Sequence, residues 1–160
     1  MAERDELGIR QEALFTLWAL RTYNAEYLPR EQRLRLLAHG FELADAGHAL
    51  PVFLQFSESL ARATHRRIHW HEPRCCRLSD GELLVLQALA QCQCRGGECP
   101  QWRQLLGAAA GSELQHWGCE WLRALSDEGI CFPTPAELVE GLAPLENLIS
   151  FQPERQQRRI

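Results

Sequence analysis

Ser79-Asp-Gly-Glu-Leu-Leu-Val-Leu-Gln-Ala-Leu-Ala-Gln91 decides the fold class of this 160-residue chain. A serine followed three residues later by a glutamate is a capping box. The Ser79 hydroxyl accepts from the third helical amide, and the Glu82 carboxylate reaches back to the serine amide. Leu83, Leu84, Leu86 and Leu89 then recur at helical spacing, so residues 80–91 read as an amphipathic helix.

The same pattern extends in both directions. Leu7, Leu14, Leu17, Trp18 and Tyr23 predict a first helix over residues 6–27, stopped by Pro29. Leu34, Leu37, Phe41 and Ala44 form the stripe of a second, over residues 30–47, which breaks at Gly47. A third runs from Pro51 to about Ile68 and buries Val52, Phe53, Phe56, Leu60 and Ala63. Beyond residue 91, Pro100 opens a short fifth helix through Leu105 and Leu106. Ser112 with Gln115 caps a sixth, and Gly129 is its left-handed stop. Thr134 with Glu137 caps a seventh, interrupted at Pro144. Only Ile130-Cys131-Phe132 has strand composition. The expected fold is all-α with about seven helices in two small halves, residues 1–70 and 79–151. Residues 71–78 form the linker and 152–160 a flexible tail.

Residues 79–132 (helix, turn, short helix, Gly111-Ser112 turn, longer helix) generically resemble a winged helix-turn-helix. The resemblance implies a recognition helix over residues 112–128, but that stretch carries one arginine, Arg123, against four acids. It also shows Trp117 and Trp121 where base contacts belong. The layout is therefore expected to be degenerate and to serve protein contacts, with no nucleic-acid partner.

Charge supports that exclusion. The formal net charge is −4, from 17 basic and 21 acidic side chains. All the basic residues are arginine, which rules out a Schiff-base or P-loop lysine. Residues 1–77 hold 11 arginines against 10 acids, and residues 78–135 hold 3 against 7, so neither half offers a surface for phosphate backbones. No stretch approaches the length of a membrane span, and the charged residues 1–6 are unlike a signal peptide. A cytoplasmic location follows as the expectation. With it comes the inference that the 7 cysteines are not a disulfide framework.

Three constellations carry candidate chemistry. Cys92, Cys94 and Cys99 in a glycine-bearing loop could hold zinc or an iron–sulfur cluster, with Cys131 as fourth ligand. Antiparallel helices would bring Cys131 to that end, whereas Cys75 and Cys76 lie roughly 18 Å away at the far end of the 80–91 helix. The spacing is not the C-x2-C of zinc ribbons. His65 and His69 stand four apart on a predicted helix face near His71, Cys75 and Cys76, but Arg66 and Arg67 oppose a cation there. Arg62, Arg66, Arg67, Arg74 and Arg77 form a concentrated basic cluster suited to an anion, with Trp70 able to stack on a planar ligand. Separately, Trp117 and Trp121 share one helical face with Leu114 and Leu125. Any part of that face the core does not cover is an interface candidate.

No G-x-S-x-G, G-x-G-x-x-G or P-loop signature is present. The favoured reading is a non-enzymatic, cytoplasmic helical protein that acts through protein contacts, including contacts with itself, and needs no cofactor. Two alternatives stand beside it. One is a zinc, iron–sulfur or thiol redox-sensing protein using the cysteine loop, and the other an anion-binding protein or enzyme using Arg62 to Arg77.

Overall fold

The computed structural model describes residues 11–64, 68–94, 102 and 111–138. Among these, the architecture is all-α, with α1 (Gln11–Tyr23), α2 (Arg30–Leu43), α3 (Leu50–Ala63), α4 (Asp80–Cys94) and α5 (Gly111–Asp127). A 3-10 turn, Gly47–Ala49, leads into α3. Of the predicted fifth helix, only Trp102 is described, in helical conformation, and the last helix is described for residues 135–138 alone. The tail over 152–160 lies outside the described residues.

Local chemistry sets most helix ends. The Ser79–Glu82 capping box forms both ways: the Ser79 amide donates to Glu82 Oε2 at 2.9 Å, and the Glu82 amide donates to Ser79 Oγ at 3.1 Å. The Thr134–Glu137 box does likewise. α5 closes in a Schellman arrangement. Gly129 adopts φ 78°, its amide donates to the Ser126 carbonyl, and the Ile130 amide donates to that of Leu125.

Three ends differ from expectation. α1 stops at Tyr23, well before Pro29, because the Asn24 side chain and amide both donate to the Leu20 carbonyl and Arg33 donates to that of Tyr23. α2 stops at Leu43, before Gly47. Asp45 takes the left-handed conformation at φ 53°, and the Ala46 amide donates to the Phe41 carbonyl. α3 ends at Ala63 and not near Ile68. Thr64 turns to extended backbone, its hydroxyl donating back to the Leu60 carbonyl.

The core is one cluster drawn from both sides of residues 71–78. α3 packs most extensively on α5, α4 also lies against α5, and α1 bridges α2 and α4. An aromatic chain runs through the middle: Phe15 to Phe41 at 5.0 Å, Phe41 to Phe53 at 5.3 Å, and Phe53 to Trp121 at 5.1 Å between ring centroids. Phe56 meets the buried Trp102 edge-on at 6.3 Å. Gly40 lets α2 close on α1, since a Cβ there would sit 2.1 Å from the Trp18 ring. α2 is nevertheless an edge helix. It buries only Leu37 and Phe41, and Leu34, expected in its stripe, is 37% exposed.

The segment that leads from α3 to α4, residues 68–79, has no regular secondary structure. It is nonetheless anchored. The α1 side chain Arg21 and the α4 side chain Glu82, both buried, meet beneath it, and their hydrogen bonds fix its path.

Candidate functional site

Arg21 occupies the inward face of α1, one turn beyond Leu17 and two beyond Leu14. Glu82 occupies the inward face of α4, ahead of Val85, Leu86 and Leu89, and is fully buried. Their contact is bidentate: Arg21 Nε to Glu82 Oε1 at 2.8 Å and Nη2 to Oε2 at 2.9 Å. The remaining guanidinium hydrogens go to backbone carbonyls of the connection. Nη1 donates to Cys75 at 2.8 Å and to Glu72 at 3.4 Å, and Nη2 donates to Arg77. The carboxylate accepts two more bonds, from the amides of His71 and Ser79, each at 2.9 Å. All five guanidinium N–H groups and four carboxylate acceptor positions are thereby used. The Ser79 hydroxyl adds a bond to the His69 carbonyl at 2.6 Å.

Electrostatics follow from this geometry. Burial pushes the Glu82 carboxyl pKa up. The Arg21 hydrogen bond, the Ser79 and His71 amides and the Arg21 charge pull it down further, leaving it below the ordinary glutamate value. A carboxylate with a depressed folded pKa stabilises the fold above its unfolded pKa, and that contribution is lost as pH falls through the folded pKa. Acidification from about pH 7 to about pH 3 should therefore lower the urea midpoint of the wild-type protein. Glu82→Gln, with no charge to lose at this position, should show a shallower decline over the same window.

Two clefts flank the pair, and Arg21 contributes to the wall of each. The larger, about 700 Å³, lies between the turn after α1 and the start of the connection, and its lining includes Asn24, Glu26, Tyr27, His69, Trp70 and Glu72. Tyr27 is 64% exposed, and the His69 and His71 rings meet edge-to-face at 4.8 Å. The smaller, about 370 Å³, has Leu14, Leu17, Trp18 and Leu78 in its wall, with Arg74, Cys75, Cys76 and Arg77 along the connection.

The structure separates the candidates that sequence grouped together. Arg62 reaches Glu113 on α5 at 3.6 Å, a solvent-facing pair, while Arg74 and Arg77 border the smaller cleft. Arg66 and Arg67 lie outside the described residues, as do His65 and Cys99. His69 stands in non-helical backbone beyond the end of α3, and its expected helical partner His65 is not among the described residues. α4 continues through the predicted cysteine loop as far as Cys94, placing positions 92 and 94 two apart on a helix, where residues do not share a face. The side chain of Cys94 is not described, and Cys131 is exposed. Among the described residues, no three His, Cys, Asp or Glu side chains gather as metal ligands would.

The tryptophan pair also divides. Trp121 is fully buried between Phe41 and Phe53, which removes it from any interface, whereas Trp117 is half-buried. Leu114, Trp121 and Leu125 all face inward, so α5 has no free apolar face to lay into a groove. No helix among the described residues is long and apolar enough to cross a membrane.

The Arg21–Glu82 pair escaped the sequence reading, although each residue left a mark: a charged side chain at a position where helical spacing called for an apolar one. No family model, curated protein or solved structure matches this chain.

Proposed function

We propose that the protein is a non-enzymatic interaction module that holds a segment of a partner protein in the larger cleft. The observation that carries this reading is the pinned connection. Residues 68–72 present irregular backbone with His69, Trp70 and Glu72 at the surface, and the Arg21–Glu82 pair holds that backbone from beneath. A wall fixed before binding spares the ordering cost that a loose loop would incur. The cleft volume lies within the usual range for binding sites, and exposed Tyr27 with half-buried Trp70 supplies the aromatic surface interfaces favour. Glu26 and Glu72 suit a partner segment that carries arginine or lysine. Binding is favoured over catalysis because the strongest charged group in the wall, Arg21, has every donor engaged and none left for a reacting atom. The unbridged thiols of Cys75, Cys76, Cys119 and Cys131 accord with action in a reducing compartment such as the cytoplasm.

A second reading, self-association, is favoured by α2. Leu36 and Leu43 stand seven apart on one flank of that helix, 40% and 74% exposed. A photo-crosslinking side chain placed at Tyr27, and separately at Leu43, separates the two in cells that make the full chain. The proposal expects a discrete adduct with a different protein at position 27, lost when Trp70 is changed to alanine. Adducts at position 43 alone, at twice the mass of the chain, would replace it with self-association. No adduct at either position would overturn both readings.

A further inference from the structure

The smaller cleft has a chemistry that the partner-segment reading does not use. Its inner wall is apolar: Leu17 is buried, and Leu14, Trp18 and Leu78 are half-buried. Trp18 is braced from behind by Gly40 of α2 and stacked with Phe15 at 6.0 Å, so the wall is rigid. The outer edge is cationic. Arg74 and Arg77 are both exposed, and neither has a side-chain hydrogen bond or ion-pair partner among the described residues. Their backbone is held in place. The Cys75 amide closes a turn onto the Glu72 carbonyl at 2.9 Å, and Arg21 binds the carbonyls of Cys75 and Arg77. Two arginines therefore project from a fixed segment beside an apolar depression of about 370 Å³ in an otherwise acidic protein.

We infer that this cleft is a binding site for a small amphiphilic anion: an apolar body of medium acyl length against Leu14, Trp18 and Leu78, and a carboxylate or phosphate monoester between Arg74 and Arg77. Guanidinium forks match the planar, multi-oxygen geometry of such head groups, and the volume suits a small molecule and not a folded partner. The two contributions are separable. The apolar wall responds to chain length, and the arginine edge responds to charge and is screened by salt. The site shares only the Arg21 wall with the larger cleft, so it stands whether or not a partner segment binds there.

Isothermal titration of the full chain tests it with octanoate, octyl phosphate, octanol and acetate. Expected is saturable one-to-one binding of octanoate or octyl phosphate, with octanol at least tenfold weaker and acetate undetected. Affinity should rise about two- to fourfold per methylene added between hexanoate and octanoate. The preferred head group tells whether a carboxylate or a phosphate is the natural one. Arg74→Gln with Arg77→Gln should weaken anion binding at least tenfold without changing the thermal midpoint, since both side chains are solvent-facing, and Arg62→Gln should leave it unchanged. Added salt should weaken binding to the wild type, a readout that needs no variant. Octanol binding as tightly as the anions, anion binding untouched by the double substitution or by salt, or no anion binding at all would each overturn the inference.

Discussion

Arg21→Met should lower the stability of the fold by about 3–5 kcal/mol, because it leaves the Glu82 carboxylate buried without its counter-charge. For a chain of this size the loss would shift the thermal midpoint on the order of 10 °C. The effect goes beyond one ion pair. The same guanidinium serves the carbonyls of Glu72, Cys75 and Arg77, so the connection loses its anchor when it is removed. A second variant isolates this role. In Arg21→Met with Glu82→Leu both charges are replaced by apolar groups of similar shape. Such a replacement is often neutral or stabilising where only an ion pair is lost. Here it should recover only part of the deficit, since the carbonyls of Cys75 and Arg77 and the amides of His71 and Ser79 still lack their partners, at about 1–3 kcal/mol for each that stays buried. Full recovery, measured by urea unfolding, would mean that the pair does not order the connection.

The second large effect is expected at Trp121. Trp121→Ala removes the ring between Phe41 and Phe53 and should cost about 3–5 kcal/mol, from lost burial and the cavity left among α2, α3 and α5. Trp117→Ala, one turn earlier and half-buried, should cost about 1 kcal/mol. The contrast between two tryptophans on one helix tests the assignment of Trp121 to the core. Were Trp121→Ala to leave unfolding unchanged while altering the oligomeric state, that assignment would be wrong.

These two cases also show what the sequence carried. Helix existence was legible, because it depends on spacing within one segment. The Ser79–Glu82 and Thr134–Glu137 boxes form as read, each being an interaction over three residues. Gly129 stops α5 for the reason its lack of a Cβ suggests. Less was legible where a partner distant in sequence decides the outcome. Nothing between Ala63 and Ile68 forbids a helix, yet α3 ends there and the chain crosses over the Arg21–Glu82 pair. Arg21 and Glu82 are 61 positions apart. An isolated charge on an apolar stripe could have flagged each of them, but not their pairing. The basic cluster illustrates the converse. Arg62 and Arg74 lie only 12 positions apart in sequence, but one faces α5 and the other borders a cleft along the connection. Likewise, Leu34 fits the α2 stripe, but α2 is an edge helix whose inward face is narrow.

Both proposed sites depend on one physical claim: the buried Arg21–Glu82 pair holds residues 68–79 in a fixed path despite their lack of regular secondary structure. Amide hydrogen exchange tests it directly, by comparing the wild-type chain with Glu82→Gln. Slow exchange is expected at His71 and Ser79 in the wild type, whose amides donate to Glu82. Protection there should fall sharply in Glu82→Gln, while the α3 and α5 amides keep most of theirs. Exchange at unprotected rates across residues 68–79 in the wild type, or equal protection in both proteins, would contradict it.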